Sequence, residues 1–394
     1  MDNLKSSILK SLYFSHAQSI AEISERIGKS IPLVTRNVNE LLEDHLIKES
    51  GRRASTGGRR AMDYMLNVDA HGVLVAVAVD QHALRATAYN MANEPVVAAH
   101  HVSIDLQDDQ TAYQKIEETI AEIITQLAGT DVLGIGITIP GFVDSKTFIN
   151  NSFDASSPLY ALRDAIAKRF NIPTYIENDS SAIAIAEKHF GSAQDTSDAL
   201  VINLNWGVGL GMIIQNKLFR GHSGFAGEFS HIPLADESRL CSCGKKGCLE
   251  VEASLLCAFE DIQGALASGE RSSLEYAFQE SNDVAFPLLL AAYEKGDQLT
   301  IRALKKIGHM LGKGVATLIH IMNPERIVVS GRGAAFGDVL LPQILSSIQE
   351  YCIPRLAKQT SIQISAVQDV QLLASCCIAI QQMHWVKKRK IQLN

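Results

Sequence analysis

The stretch HIPLADESRLCSCGKKGCLE, residues 231–250, constrains this chain more than any other segment. Three cysteines fall within eight residues, Gly244 and Gly247 stand among them, and His231 lies ten positions ahead of the first cysteine. The 394-residue chain holds seven cysteines. In a chain of this size they are expected to be reduced thiols or metal ligands, not the disulfide framework of a short secreted domain.

That expectation agrees with the rest of the composition. The length predicts two or three domains, and 46% hydrophobic residues are enough to fill their cores. No apolar run approaches the ~20 residues of a membrane span. The opening MDNLKSSILKSLYFSHAQ lacks a signal peptide's basic region, apolar stretch and small-residue cleavage site. The expected location is the cytoplasm, without membrane insertion. The net charge of −7 is uneven: residues 1–66 carry +2 and the remainder −9. Lys48, Arg52, Arg53, Arg59 and Arg60 crowd residues 48–60 against one acid, Glu49. A small basic head on an acidic body suits a DNA binder with a separate sensing domain.

Within the head, Leu4, Ile8, Leu9 and Leu12 recur at helical spacing. Ser19 and Glu22 fit a capping box for a second helix, with Ile20, Ile23 and Ile27 as its apolar stripe and Gly28 as its end. A third helix is expected from Ser30, with Pro32 tolerated in its first turn. Val34, Val38, Leu41 and Leu42 should face inward, and Thr35, Arg36, Asn37 and Asn39 outward. Two short helices around a tight glycine turn form the helix-turn-helix pattern. HLIKESGRRASTGGRRAMDYMLN then reads as strand, basic loop, strand, which is a wing whose arginines suit the minor groove. Ser30, Thr35, Arg36, Asn39, Arg52, Arg53, Arg59 and Arg60 are the expected DNA contacts. Without DNA, the same pattern would be a three-helix protein-interaction module.

In the body, GVLVAVAVD (72–80) and ALRATAYNM (83–91) read as a strand hairpin. A helix is expected over 111–128, a strand over 132–141, helices over 159–170 and 180–190, and a strand at PTYIEN. ALVINLNWGVGLGMIIQNKLF (199–219) repeats the opening design, and RIVVSGRG (326–333) is another strand with a glycine turn. Alternating strands and helices with two similar openings predict two related α/β lobes around a cleft. GFAGEFSHIPL followed by CSCGKKGCLE, with END, GIGITIPGFVD and NPERIVVSG, resembles the ROK family of repressors, open reading frames and sugar kinases. The likeness spans about residues 70–380. With the head, it resembles the family's regulators, the sugar-operon repressors of the xylose and N-acetylglucosamine type.

The resemblance implies an α/β, actin/hexokinase-like (ribonuclease H-like) body of two lobes behind a winged helix-turn-helix. The expected divisions are 1–66 for the head, 67–196 for lobe 1 completed by a C-terminal helix at about 370–394, and 197–369 for lobe 2 with a dimerisation surface. It implies His231, Cys241, Cys243 and Cys248 as a closed Cys3His set suited to one structural, tetrahedral Zn2+. Cys257, Cys352, Cys376 and Cys377 read as buried thiols. It also implies sugar contacts from Asn151, Asn178, Asp179, Glu228, His231 and Glu250, with Asn150 as the alternative to Asn151. In the kinases the aspartate matched by Asp179 is the catalytic base. END read alone would be a helix N-cap by Asp179.

Three features set this chain apart from the kinases. They resemble Asp-x-Gly-Gly-Thr after the first strand, where this chain has Asp80, Gln81, His82, Ala83 and Leu84, whose side chains obstruct close phosphate approach. The second turn keeps Gly207, Gly209 and Gly211 but places Trp206 where a small hydroxyl residue is usual. Ser230 also replaces the glycine of the usual Glu-x-Gly-His. The expectation is a non-enzymatic, sugar-responsive repressor acting on operator DNA as a homodimer or dimer of dimers, with Asp179 a vestigial base. The alternatives are an active sugar kinase carrying a DNA-binding head and a sugar-binding protein controlled by a protein partner.

Overall fold

The head is built from helices whose ends are marked by local hydrogen bonding. It comprises α1 (Asp2–Ser15), β1 (Ala17–Ser19), α2 (Ile20–Ile27), α3 (Ile31–Glu43), β2 (Ile47–Arg52) and β3 (Met62–Leu66). The Glu22 amide donates to Ser19 Oγ, and Glu22 Oε2 accepts from the Ser19 amide at 2.8 Å. This reciprocal cap satisfies two backbone donors that a helix start leaves open. Gly28 ends α2 in the left-handed region at φ 63°, which glycine adopts without a Cβ penalty. Val34, Val38 and Leu41 are fully buried. Asn37, expected outward, is buried instead, and its Nδ2 donates to Leu33 O at 2.9 Å. The strands form one antiparallel sheet ordered β1-β3-β2.

The computed structural model describes residues 2–52, 62–236, 239–274 and 285–385. Arg53, Arg59 and Arg60 lie outside them, as do the residues beyond 385. Among the described residues no helix is long and apolar enough to cross a membrane.

The first body sheet contains β4 (Val73–Val79), β5 (Ala83–Tyr89), β6 (His100–Ser103), β7 (Val132–Ile139) and β8 (Thr174–Asn178), in the order β6-β5-β4-β7-β8. Helices α4 (Asp109–Gln126), α5 (Leu162–Phe170) and α6 (Asp179–Phe190) accompany it. The second sheet holds β9 (Ala199–Leu204), β10 (Val208–Ile214), β11 (Lys217–Leu218), β12 (Arg326–Ser330) and β13 (Ser361–Ile364), ordered β11-β10-β9-β12-β13. Each sheet pairs its first two strands antiparallel and adds two parallel strands on the other side. The chain therefore builds the same five-stranded arrangement twice. The second lobe adds α7 (Glu250–Ala253), α8 (Leu255–Ala267), α9 (Ala285–Glu294), α10 (Gln298–Met322), α11 (Gly337–Tyr351) and α12 (Pro354–Ala357). Helix α13 (Val370–Gln382) follows.

Helices α6 and α13 pack where the sheets leave no room for side chains. A Cβ on Gly211 would lie 2.6 Å from Ser180 O, and one on Gly136 would lie 1.9 Å from Ser375 O. Ser375 Oγ also donates to Val77 O at 3.0 Å. Gly209 and Gly211 are thus strand residues that admit α6, not parts of a glycine turn running over 205–211 as the motif suggests.

The head docks on these same helices. Tyr13 is buried edge-on against Phe190 and Trp385, and Phe14 stacks on His189 with centroids 3.9 Å apart. Cys376, Ile380 and Trp385 join Ile8, Leu9 and Leu12 in one apolar cluster. Lys10 Nζ donates to Gln381 O, and the Trp385 amide donates to Ser6 Oγ. Each buried large side chain contributes about 1.5–3 kcal/mol, against about 1 kcal/mol net for a hydrogen bond, so the apolar seam dominates the docking.

Burial, with Arg26 and Lys188 nearby, lowers the His189 pKa to about 4. An unfolded histidine protonates near 6.5, so stability from neutral His189 is lost as pH falls from about 6.5 towards 4. Thermal melts between pH 7 and 4.5 should show a steeper loss for wild type than for His189→Leu, with a difference of up to about 1.4 kcal/mol per pH unit. Parallel pH profiles would contradict this assignment.

Candidate functional site

The described residues of 228–250 form a compact loop in lobe 2. Residues 229–231 form one short helical turn, and bridges Pro233–Cys248 and Leu240–Lys246 fold the rest back on itself. Gly244 and Gly247 take φ of 82° and 75° at the tight turns, where a side chain would be strained. The ligand atoms of His231, Cys241, Cys243 and Cys248 all lie within 4.8 Å of one another. Cys241 Sγ is 3.6 Å from His231 Nδ1, and Cys243 Sγ is 3.6 Å from Cys248 Sγ. Sulfurs around a tetrahedral zinc stand about 3.8 Å apart, so the group could hold a metal ion. Cys257, Cys352, Cys376 and Cys377 are buried elsewhere.

The loop also gathers carboxylates. His231 Nε2 is 3.7 Å from Glu228 Oε2, and Nδ1 is 3.9 Å from Glu250 Oε2. Burial raises the pKa of both glutamates, and each carboxylate is opposed by His231. Glu250 opens α7 and abuts the β9–β10 turn: a Cβ on Gly207 would stand 3.2 Å from Glu250 Oε1.

That turn leads into the cleft between the lobes. Asn203 lies near the end of β9 and Asn205 directly after it, and both are buried. Asn203 Nδ2 donates to Asp179 Oδ2 and Asn205 Nδ2 donates to Asp80 Oδ2, each at 3.0 Å. Asp179 Oδ1 accepts from the Ser180 amide at 2.8 Å. Burial first, and the Asp80 carboxylate second, push the Asp179 pKa up to about 6. Asp80 is further held by the Gln81 amide and by Arg332 Nη2 at 3.3 Å. The guanidinium of Arg332 lies 5.4 Å over the Phe286 ring. Arg332, Asn203, Asn205, Ala83 and Gln371 line a cavity of about 670 Å3.

The remaining sequence candidates divide by environment. Asn178, not Asp179, caps α6: its Oδ1 accepts from the Ser181 amide and its Nδ2 donates to Gly141 O. Both ends of that amide are therefore engaged. Asn150 is buried and committed to Pro140 O and the Ser152 amide, whereas Asn151 is exposed. Ser30, Arg36 and Asn39 are exposed on the head, Thr35 is half-buried, and Arg52 ends β2. Three interlobe contacts were not anticipated. Arg332 reaches Asp80, Arg220 pairs with buried Glu177 at 2.5 Å, and Phe142 meets Phe225 edge-on at 5.4 Å. The INLN end of β9 was the legible signal for the cleft amides, since asparagines closing an apolar strand need partners.

The ROK family profile matches residues 76–374, and a winged helix-turn-helix DNA-binding profile matches residues 1–48. The chain is 27% identical over 376 residues to the xylose repressor of Caldicellulosiruptor bescii, covering 94% of this chain and 93% of that protein. It is 30% identical over 333 residues to the DNA-binding transcriptional dual regulator NagC of Escherichia coli, covering 84% and 79%. A ROK family transcriptional regulator, a homologue of the E. coli MLC protein, superposes with a TM-score of 0.74 at 24% identity over 96% of each chain. The Streptomyces griseus ROK glucokinase, solved with glucose and AMPPNP, gives 0.68 at 25% identity over 79% of this chain and 100% of its own. The chain belongs to the ROK family and joins its two-lobed body to an N-terminal winged helix-turn-helix.

Proposed function

We propose that the protein is a sugar-responsive repressor of carbohydrate-utilisation genes that binds operator DNA through its head and a sugar or sugar derivative in the interlobe cleft. The observation that carries this reading is the union of both modules in one chain, over nearly the whole length of a named xylose repressor. Asp179, Glu228, His231 and Glu250 supply acceptors for vicinal hydroxyls, and Asn151 offers an exposed amide. Asn178 contributes by fixing the start of α6. Zn2+ held by His231, Cys241, Cys243 and Cys248 would set the ring of His231, and with it Glu228 and Glu250.

Ligand and head are linked through α6. Its first residue is Asp179, and its last, Phe190, packs under Tyr13 of the head. A sugar that favours one lobe closure shifts the orientation of the head, and in a homodimer it re-spaces two heads against two half-sites. Exposed Ile321 and Ile353 on neighbouring segments of lobe 2 support self-association there.

Phosphoryl transfer is disfavoured in this reading. It needs phosphates and metal positioned together. Here Arg332 and Asn205 already engage Asp80, Gln81 and His82 form the adjoining turn, and Ala83 opens β5. Sugar binding should therefore proceed without nucleotide. A thermal-shift screen of sugars, amino sugars and their phosphates, followed by calorimetry of the strongest hit, tests the reading. Asp179→Asn should bind that sugar at least about tenfold more weakly, since a mispaired buried hydroxyl costs about 1–3 kcal/mol. Sugar-dependent ADP release at ~1 s⁻¹ or faster would instead establish a kinase.

The raised pKa of Asp179 sets a sign for pH. A hydroxyl donating to the carboxylate favours its charged form, so affinity should be flat above pH 7 and fall below about pH 6. The fall approaches tenfold per pH unit, and Asp179→Asn should lose it. An unchanged profile in that variant would remove Asp179 from the contact.

One tightly bound zinc per chain is expected from metal analysis of protein purified without added metal. Cys243→Ser should lose the metal and weaken sugar binding together, because the glutamates depend on the loop. Zinc-free protein with full stability and sugar affinity would contradict the assignment.

A further inference from the structure

We infer that Ile31 and Leu33, in the leading turn of α3, read thymine 5-methyl groups in the major groove. This rests on the operator-binding reading of the head and adds the base chemistry that the head selects. Ile31 is 54% exposed and Leu33 is 42% exposed, and they are the only exposed large hydrophobic residues among the described residues of the head. Pro32 between them is exposed as well and has no N–H to donate. Three consecutive residues at the start of the helix thus present apolar surface with no side-chain hydrogen-bonding group. None is needed for the head's own core, which Val34, Val38 and Leu41 fill from the opposite side.

In a helix-turn-helix the N-terminal residues of the second helix are those that meet base edges. Of the four bases, thymine alone offers a methyl group in the major groove, and apolar side chains are its partners. The polar neighbours are partly committed. Thr35 Oγ1 donates back to Ile31 O at 2.8 Å. Arg36 Nε pairs with Glu40 Oε1 at 3.0 Å, and Glu40 Oε2 also meets Lys5 at 3.0 Å. Asn37 points inward. Charge favours a polyanion as the occupant over a protein: exposed Lys29 and Lys48 flank the helix, and five basic residues face one acid over 48–60. Those cations supply affinity that is blind to sequence, which leaves the apolar turn to discriminate.

The test uses the full chain. A random-sequence duplex library is selected for binding, and the best duplex is remade with deoxyuridine replacing each thymidine in turn. Deoxyuridine pairs as thymidine does and lacks only the methyl. Wild type should lose about fourfold in affinity for each contacted methyl removed. Ile31→Ala and Leu33→Ala should bind the thymidine duplex more weakly by a similar factor and no longer distinguish the two bases at the matching positions. Because both side chains are exposed, the thermal midpoints of the variants should match wild type. Equal binding of both duplexes by wild type, or full discrimination kept by both variants, overturns the inference and leaves operator binding intact. Enrichment of no sequence at all overturns the operator reading and this inference with it.

Discussion

The close approach of α6 to β10 is the constraint on which the rest of the molecule depends. Glycine at 209 and 211 is what allows it, since a methyl group at either place would overlap Ser180 or Ala184. Twelve residues of helix, about 18 Å, then run from the interlobe cleft to the underside of the head. Asn178 caps the cleft end and directs Asp179 toward Asn203, while His189 and Phe190 form the platform for Tyr13 and Phe14. Helix α13 lies beside it with the same economy of space at Gly136, and it brings Cys376, Ile380 and Trp385 into the head's apolar cluster. The cleft and the head are therefore attached to the same pair of tightly packed helices, and neither can shift without straining a core that has no slack.

Electrostatics gives the cleft its character. Two carboxylates, Asp80 and Asp179, interact, and each is held by an amide, from Asn205 just past β9 and from Asn203 within it. Arg332 balances Asp80 from the second lobe, whereas no such ion pair to Asp179 is found among the described residues, and burial keeps its proton up to about pH 6. A hydroxyl-rich ligand suits that acceptor. Arg220 with Glu177 and Phe142 with Phe225 join the lobes at further points, so closure is a matter of a few named contacts, each open to substitution.

Much of this was legible in the residues. The capping box and Gly28 set the ends of α2 because helix termination is a local matter of backbone donors and φ. The two lobes could be read from the repeated strand, glycine turn and strand, and the Cys3His cluster from its spacing. Failures came where tertiary packing decides. Asn37 has an outward polar identity, but its place on α3 is shared with Val34 and Leu41, and the core took it. Gly209 and Gly211 looked like part of a phosphate turn, because a glycine that admits a helix and one that admits a ligand are identical in sequence. The alternative reading of END put the helix cap at Asp179, whereas the preceding Asn178 holds the capping geometry. Arg332, Arg220 and Phe225 lie 43 to 252 residues from their partners, and no local pattern links residues so far apart.

Thermodynamic linkage makes the coupling between the cleft and the head measurable from either side. The most direct measurement is the affinity of the best screened sugar for the free full-length protein and for the same protein saturated with its selected duplex. The two affinities should differ by at least about fivefold, with the same factor relating the affinities for DNA without and with the sugar. Equal sugar affinity in the free and DNA-bound protein would contradict that coupling, whatever each ligand's own strength of binding.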